Sequence, residues 1–188
     1  PLLAEVILKY QGLRLPGCWD IFEFSIRAIL GQQVSVKAAT TFAKRITEKY
    51  GQKFSELQQE TSLTFPSVDA LMHVDFSGIG LTKTRIATLQ RWIEYFKHNR
   101  DAIENYQSLD FLEQQLCQIK GIGPWTVNYL AMRGLSDPDA FPSADLGIIK
   151  ALTTDEKKPS NKEILQLAEQ WRPWRAYAAI YLWHSLAH

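Results

Sequence analysis

The residues with the clearest chemical potential are a glycine turn, Gly121-Ile122-Gly123, and one carboxylate, Asp145, which lies 22 positions beyond Gly123. Glycine has no side chain, so a turn built from it lets another backbone or a ligand approach closely. Pro124 follows the turn, and proline suits the first turn of a helix. The free N–H groups and the positive dipole end of such a helix favour an anion such as phosphate. The sequence therefore predicts an anion-binding turn and, further along the chain, a carboxylate that can stabilise positive charge.

The carboxylate of Asp145 has two interpretations. Asp145 lies two residues after Ser143, a suitable N-cap, so we expect Asp145 in the first turn of a helix that contains Ile148 and Ile149. An acidic residue at that position can simply complement the helix dipole. Alternatively, it can face developing positive charge in a water-poor site.

The periodicity of apolar residues is helical along nearly the whole chain, and we predict an all-α fold of about nine helices. Only residues 58–66 resemble an extended segment. A capping box is predicted at Ser160 and Glu163. The predicted helix starts are Asp20, Ser35, Ser67, Thr82 or Thr84, Leu109, Pro124, Ser160 and Trp174.

The composition is that of an ordinary globular protein, with 46% hydrophobic and 22% charged residues among 188. The net charge is only +1, so any contact with nucleic acid must depend on local geometry more than on bulk charge. No segment has the ~18 consecutive apolar residues of a membrane span. The sequence opens at Pro1 rather than at methionine, and we expect it to be a piece of a longer protein.

Metal centres with cysteine or histidine ligands are not expected. The two cysteines, Cys18 and Cys117, are too few for an iron–sulfur cluster, which takes about four. The four histidines show no ligand spacing with one another or with cysteine, so no zinc site is predicted.

Four separated segments resemble one family, the helix–hairpin–helix–Gly/Pro–Asp superfamily of base-excision DNA glycosylases. Residues 119–129, Ile-Lys-Gly-Ile-Gly-Pro-Trp-Thr-Val-Asn-Tyr, followed by Asp145, match its hairpin and aspartate. Residues 13–17, 28–35 and 171–178 are similar to its 3-methyladenine DNA glycosylase II branch. The resemblance implies one helical glycosylase domain over 1–188, formed by two lobes with the site between them. The family's frequent N-terminal β-rich domain is expected to be absent.

The resemblance also assigns chemistry to individual residues. Asp145 matches the catalytic aspartate, which would stabilise the oxocarbenium character of the sugar as the base leaves. Orienting or deprotonating the attacking water is its expected second role. Trp125, Tyr129 and Trp183 would form a base pocket whose electron-rich rings stack on a flipped, cationic base. For the other tryptophans, Trp92, Trp171 and Trp174, we expect core positions.

The DNA contacts implied by the family lie in two loops. In the family, a residue of the Gly-Gln loop, often apolar, fills the gap left by the flipped nucleotide. Here Gln33 stands at that position; alternatively, Gln32 and Gln33 tie the loop to backbone groups. The expected DNA-binding residues are Gly121, Ile122, Gly123, Thr126 and Gln33. The backbone carbonyls expected to hold a structural Na⁺ or K⁺ at the hairpin are those of Cys117, Ile119 and Ile122. No other cofactor is expected.

Lyase activity is not expected. In the members of the resembled superfamily that also cut the DNA backbone, a lysine follows the Gly-x-Gly-Pro turn. This chain has Trp125 at that position. Lys120 lies on the other side of the turn and does not match. The leading prediction is a monofunctional, monomeric enzyme that releases alkylated bases such as 3-methyladenine from damaged double-stranded DNA. It would act at the bacterial nucleoid in the cytoplasm, or in a eukaryotic nucleus.

Three alternatives remain open: a glycosylase for deaminated or oxidised bases, a non-catalytic helix–hairpin–helix module that binds DNA, and a helical protein–protein scaffold. The combination of Gly123, Trp125 and Asp145 argues against the scaffold.

Overall fold

A computed structural model describes residues 3–54, 62–155 and 157–186. Within these ranges the fold is helical, as predicted, with one small antiparallel ribbon. No described helix is long and apolar enough to cross a membrane. The helices are α1 (Ala4–Lys9), α2 (Ile21–Leu30), α3 (Val36–Tyr50), α4 (Val68–Leu71), α5 (Lys83–Glu104), α6 (Leu109–Leu116), α7 (Pro124–Gly134), α8 (Leu146–Leu152), α9 (Asn161–Ala168) and α10 (Arg175–Ser185).

Side-chain caps explain where most helices begin. A polar side chain before the first turn accepts an N–H group that has no partner within the helix. The predicted capping box is confirmed, since Ser160 and Glu163 accept each other's backbone N–H groups. Of the two candidate starts for α5, Thr82 is the cap. The capping side chains of the other helices in this group are Asp20, Ser35, Ser67 and Ser108.

The chain divides into two compact units, and the middle unit comprises Trp19–Gly123. It contains α2 to α6, and its core lies largely between α2 and α5, where Phe22 and Phe96 contact each other with ring centroids 5.1 Å apart. Trp92 is fully buried, which confirms its predicted core position. Its indole N–H donates to the Ser25 hydroxyl at 2.6 Å, so the buried polar groups are satisfied.

The second unit, here called the terminal unit, comprises Pro1–Cys18 and Pro124–His188. Within it, α10 packs against α1 and α8. The buried face of α10 is made of small residues, Ala176, Ala178 and Ala179, together with Leu182. Alanines at these positions let neighbouring helices approach closely, which places the end of α10 beside the start of α8.

The structure departs from the sequence predictions at several elements. A short ribbon pairs β1 (Gln52–Phe54) with β2 (Ser62–Thr64), and β1 was not predicted. The predicted extended segment includes β2, whereas residues 58–61 lie outside the described ranges. Helix α1 was also not predicted. Trp174 is 58% exposed, so its predicted core position is wrong, because it precedes α10 and lies off the buried face of that helix. Trp171 is partly buried and contacts Phe141 edge-on.

Candidate functional site

Asp145 is itself the N-cap of α8, which corrects the predicted N-cap at Ser143. The turn of residues 141–145 closes on backbone bonds, with Asp145 N–H donating to the Pro142 carbonyl at 2.8 Å. Asp145 has an extended backbone, and its Oδ1 accepts the N–H groups of Gly147 at 2.8 Å and Ile148 at 3.2 Å. An Asp side chain is well suited to this bond pattern, whereas Ser143 stands two residues too early for it.

Two indole N–H groups also point at the Asp145 carboxylate. Trp183 Nε1, from α10, donates to Oδ1 at 2.8 Å. Trp125 Nε1, from the first turn of α7, donates to Oδ2 at 3.1 Å. An indole N–H can donate but not accept. Both groups therefore suit an acceptor-only, ionised carboxylate.

The two carboxylate oxygens are thus unequal. Oδ1 has three donors: the Gly147 and Ile148 amides and the Trp183 indole. Oδ2 has one donor among the described residues, Trp125. Since a carboxylate offers about two lone-pair positions on each oxygen, Oδ1 is saturated and Oδ2 can accept one more hydrogen bond. Asp145 is half-buried, so part of this residue remains exposed to solvent.

Three aromatic rings surround the carboxylate. Trp125 stacks on Tyr129 with centroids 5.2 Å apart and an interplanar angle of 9°, the arrangement expected of residues four apart on a helix. Trp183 meets Tyr129 edge-on at 6.2 Å. Burial raises the pKa of the Tyr129 hydroxyl, and Arg133 offsets part of that effect. Tyr129 therefore remains a neutral phenol at physiological pH.

A buried amide connects α7 to the loop that leads to Asp145. Asn128 is 8% exposed, and its Oδ1 accepts the Phe141 N–H at 3.0 Å. Its Nδ2 donates to the Pro124 carbonyl at 3.0 Å. The loop is therefore fixed to the same helix that carries Trp125, and the point of attachment, Phe141, lies four residues before Asp145.

The start of α10 is fixed to this loop by a charge pair. Arg175 is 8% exposed and forms two parallel hydrogen bonds with the Asp139 carboxylate, each 2.9 Å. Ala176 N–H donates to the Pro138 carbonyl at 2.9 Å. Such a bidentate pair has a restricted geometry. Arg175 therefore has a structural role, as the partner of Asp139.

The glycine turn lies in the middle unit and is stabilised by side chains from two other elements of that unit. Gly121 has φ +102°, and a side chain there would collide with Thr88. Gln32 Nε2 donates to the Gly121 carbonyl at 3.0 Å, and Arg91 donates to the Lys120 carbonyl at 3.3 Å. Glycine at 121 is therefore required both by the backbone conformation and by the close approach of Thr88.

The remaining predicted DNA contacts differ in exposure. Gln33 is exposed with φ +54°, at the tip of the loop between α2 and α3, whereas its neighbour Gln32 ties that loop to the glycine turn. The side chain of Ile122 is buried, so only its backbone is available to a ligand. Thr126 belongs to the terminal unit and is 6% exposed, which leaves little of it to contact DNA.

The carbonyls predicted to hold a cation follow the end of α6. The Ile119 carbonyl accepts the Ile122 N–H at 2.9 Å and keeps a second lone pair. Cys117 is the C-cap of α6, where the negative dipole end favours a cation. The donor set is all oxygen, which suits a hard ion such as Na⁺ or K⁺.

Sequence reasoning placed Asp145, Trp125, Tyr129 and Trp183 in one site, and the structure brings these four side chains together in the terminal unit. It did not identify Asn128 or Gly147. The pairing of Asn128 with Phe141 has no sequence signal, because it joins residues 13 positions apart across a loop. Gly147 carries a signal, since a glycine in the first turn of a short helix is unfavourable without a reason.

Two named bacterial proteins are similar to this chain in sequence. It is 36% identical over 188 residues to a Mycobacterium tuberculosis protein named "Probable bifunctional transcriptional activator/DNA repair enzyme AlkA", and covers 38% of that protein. It is 33% identical over 195 residues to the DNA-3-methyladenine glycosylase of Bacillus subtilis, with 99% of this chain and 64% of the relative covered. The chain thus spans less than two thirds of the length of these relatives.

The fold also has similar solved structures. The 3-methyladenine DNA glycosylase Mag1 of Schizosaccharomyces pombe, in complex with abasic DNA, superposes with a TM-score of 0.76 at 27% identity. That match covers 96% of this chain and 87% of the other. Residues 26–173 match the family described as "HhH-GPD superfamily base excision DNA repair protein". Because this match covers most of the sequence and contains both the glycine turn and Asp145, the chain belongs to the HhH-GPD superfamily.

Proposed function

We propose that this chain is the glycosylase domain of a base excision repair enzyme that removes alkylated, cationic bases such as 3-methyladenine from double-stranded DNA. The observation that carries the proposal is the Asp145 carboxylate, anchored through Oδ1 and open at Oδ2 beside three aromatic rings. The similar chains named as 3-methyladenine glycosylases support the same substrate class.

The reaction breaks the bond between sugar C1′ and the base nitrogen. The bonding electrons move to the base, which becomes neutral because the alkylated purine was cationic. The sugar is left with oxocarbenium character, and the Asp145 carboxylate stabilises that charge. A water oxygen then bonds to C1′, and its proton passes to Oδ2 or to solvent. The products are a free alkylated base and an abasic site.

No general acid is needed in this scheme. A cationic base is already an adequate leaving group, so one carboxylate performs the task for which many glycosidases use two. This is consistent with the site, where Asp145 has two indoles and two amides as partners rather than a second carboxylate.

The aromatic rings offer a surface to the flipped base. Trp125 and Tyr129 stack on each other, so a base cannot lie between those two rings and must use a ring face that they leave open. A cation over such a face has a favourable interaction free energy of ~0.5–2 kcal/mol. The site would therefore select bases by positive charge and weak pairing rather than by hydrogen bonds to the base edge.

The middle unit would bind the DNA backbone. The glycine turn offers peptide N–H groups to a phosphate, a contact that positions the duplex without reading its sequence. A Na⁺ or K⁺ held by the carbonyls of Cys117, Ile119 and Ile122 would add positive charge for that phosphate. Gln33, exposed at its loop tip, would fill the gap left by the flipped nucleotide.

The enzyme would lack lyase activity. Strand cleavage by these enzymes needs an amine that forms a Schiff base with the sugar. Beside Asp145 stands Trp125, whose indole nitrogen already donates to the carboxylate and is not nucleophilic.

A panel of duplexes tests this proposal. Each carries one methylated, deaminated or oxidised base, and the free base is resolved by chromatography after incubation with the protein. We expect release from the methylated duplexes and no DNA adduct trapped by borohydride. Preferential release of deaminated or oxidised bases would show that alkylated bases are not the preferred substrate class. A trapped adduct would refute the absence of lyase activity, and DNA binding without release of any base would identify a non-catalytic DNA-binding module.

A further inference from the structure

Gly147 stands where two important side chains meet. It is in the first turn of α8, and its N–H donates to Asp145 Oδ1 at 2.8 Å. A methyl group on Gly147 would lie 2.8 Å from Trp183 Cδ1, 3.0 Å from Trp183 Nε1 and 3.0 Å from Asp145 Oδ1. The 2.8 Å distance is shorter than real side-chain contacts, and 3.0 Å is tighter than nearly all of them, so a larger residue requires the indole, the carboxylate or both to shift.

The backbone does not require glycine at this position. Gly147 is absent from the residues with positive φ, and it lies inside a helix where alanine is the more favourable residue. Local propensity therefore opposes this glycine. The contact with the Trp183 indole supplies the missing reason for it.

We propose that Gly147 is a positioning residue for the Asp145 carboxylate. Because Gly147 has no side chain, the Trp183 indole can approach closely enough for its N–H to donate to Oδ1. This inference rests on the proposed function of Asp145. With Oδ1 bound by Trp183 and two amides, the hydrogen bonds restrain rotation of the carboxylate, and Oδ2 is the oxygen left to accept from or stabilise a substrate. Without the Trp183 bond, Oδ1 keeps only the two α8 amides, and the indole ring that meets Tyr129 loses the hydrogen bond that fixes its orientation.

The test compares Gly147→Ala with the matched control Gly17→Ala. Gly17 also lies in the terminal unit and lacks a positive φ, but a methyl group there would meet only Ser136 Oγ, at an ordinary 3.8 Å. Under single-turnover conditions with saturating methylated DNA, we expect Gly147→Ala to slow base release about tenfold or more, because small misplacements of a catalytic group are costly. DNA affinity should stay within about threefold of the wild type, since no DNA contact is changed.

A second readout is independent of activity. In ¹H–¹⁵N spectra, the Trp183 indole resonance reports whether its N–H is bonded to the carboxylate. We expect this resonance to move in Gly147→Ala in the same direction as in Asp145→Ala, and to stay in place in Gly17→Ala. An unmoved resonance in Gly147→Ala would overturn the proposal.

A double-variant cycle isolates the coupling. If Gly147 acts through the Trp183 N–H, adding Gly147→Ala to Trp183→Phe should slow base release no further than Trp183→Phe alone. If the rate reductions of the two single variants multiply in the double variant, the positioning role is overturned. If the wild type releases no base at all, the proposed function fails, whereas the indole resonances still decide whether Gly147 admits the Trp183 contact.

Discussion

Replacement of Asn128 by alanine should loosen the loop that carries Asp145. The substitution leaves the buried Phe141 N–H without its acceptor, and an unsatisfied buried donor costs about 1–3 kcal/mol. The bond from Asn128 to the Pro124 carbonyl is lost as well. We therefore expect the free energy of unfolding to fall by about 2 kcal/mol, roughly a thirtyfold change in the unfolding equilibrium.

Urea unfolding at neutral pH, followed by circular dichroism, measures this loss. Asn105→Ala is the matched control, because Asn105 is exposed and donates only locally, to the Asp101 carbonyl at 2.8 Å. Water can replace that bond, so the control should change stability by no more than about 0.5 kcal/mol. In Asn128→Ala, base release should also slow in the absence of urea, at temperatures at which the protein is fully folded. Equal unfolding midpoints for the two variants would refute the role given to Asn128.

Two further predictions concern the terminal unit. The Lys157 ammonium is the main cause that lowers the pKa of Glu163 from 4.5 to about 2, so Glu163 contributes stability above pH 4.5 that disappears as the pH falls toward 2. Glu163→Gln should remove that part of the pH dependence in urea midpoints measured from pH 2 to 5, and an unchanged pH profile would contradict the assignment. Asp139→Asn should destabilise the protein by about 2 kcal/mol, because it removes the charge of the bidentate partner of the buried Arg175 guanidinium and leaves that guanidinium only the longer 3.5 Å contact with Glu169. The exposed control Glu48→Gln should change the midpoint by less than about 0.5 kcal/mol, and a similar effect of both substitutions would refute a structural role for the pair.

Much of the helical architecture was predictable because its signals are local. A serine or threonine before an apolar stripe specifies both the start of a helix and its buried face, as at Ser35, Ser108 and Ser160. Helix α1 is short, with little periodicity to detect. Strand β1 has only three residues, and its pairing with β2 is not local.

The residues of the candidate site could be predicted from the sequence, but the hydrogen bonds between them could not. Glycine turns and aspartates followed by apolar runs have recognisable patterns, and the family resemblance grouped Trp125, Tyr129 and Trp183 with Asp145. The sequence could not reveal that both indole N–H groups bind the carboxylate, since those contacts join residues 20 and 38 positions apart. The N-cap was placed at Ser143 because serine and aspartate are both good caps, and only the geometry of the 141–145 turn distinguishes them.

The most direct test of the central claim is single-turnover base release from methylated duplex DNA by the wild type and by Asp145→Asn. Asparagine keeps the shape of the side chain and can still accept the α8 amides, but it carries no charge to stabilise the sugar cation. We expect the rate of release to fall about 100-fold or more. Affinity for undamaged and abasic duplexes should remain within about threefold of the wild type. Release at the wild-type rate by Asp145→Asn would contradict the catalytic role of this carboxylate.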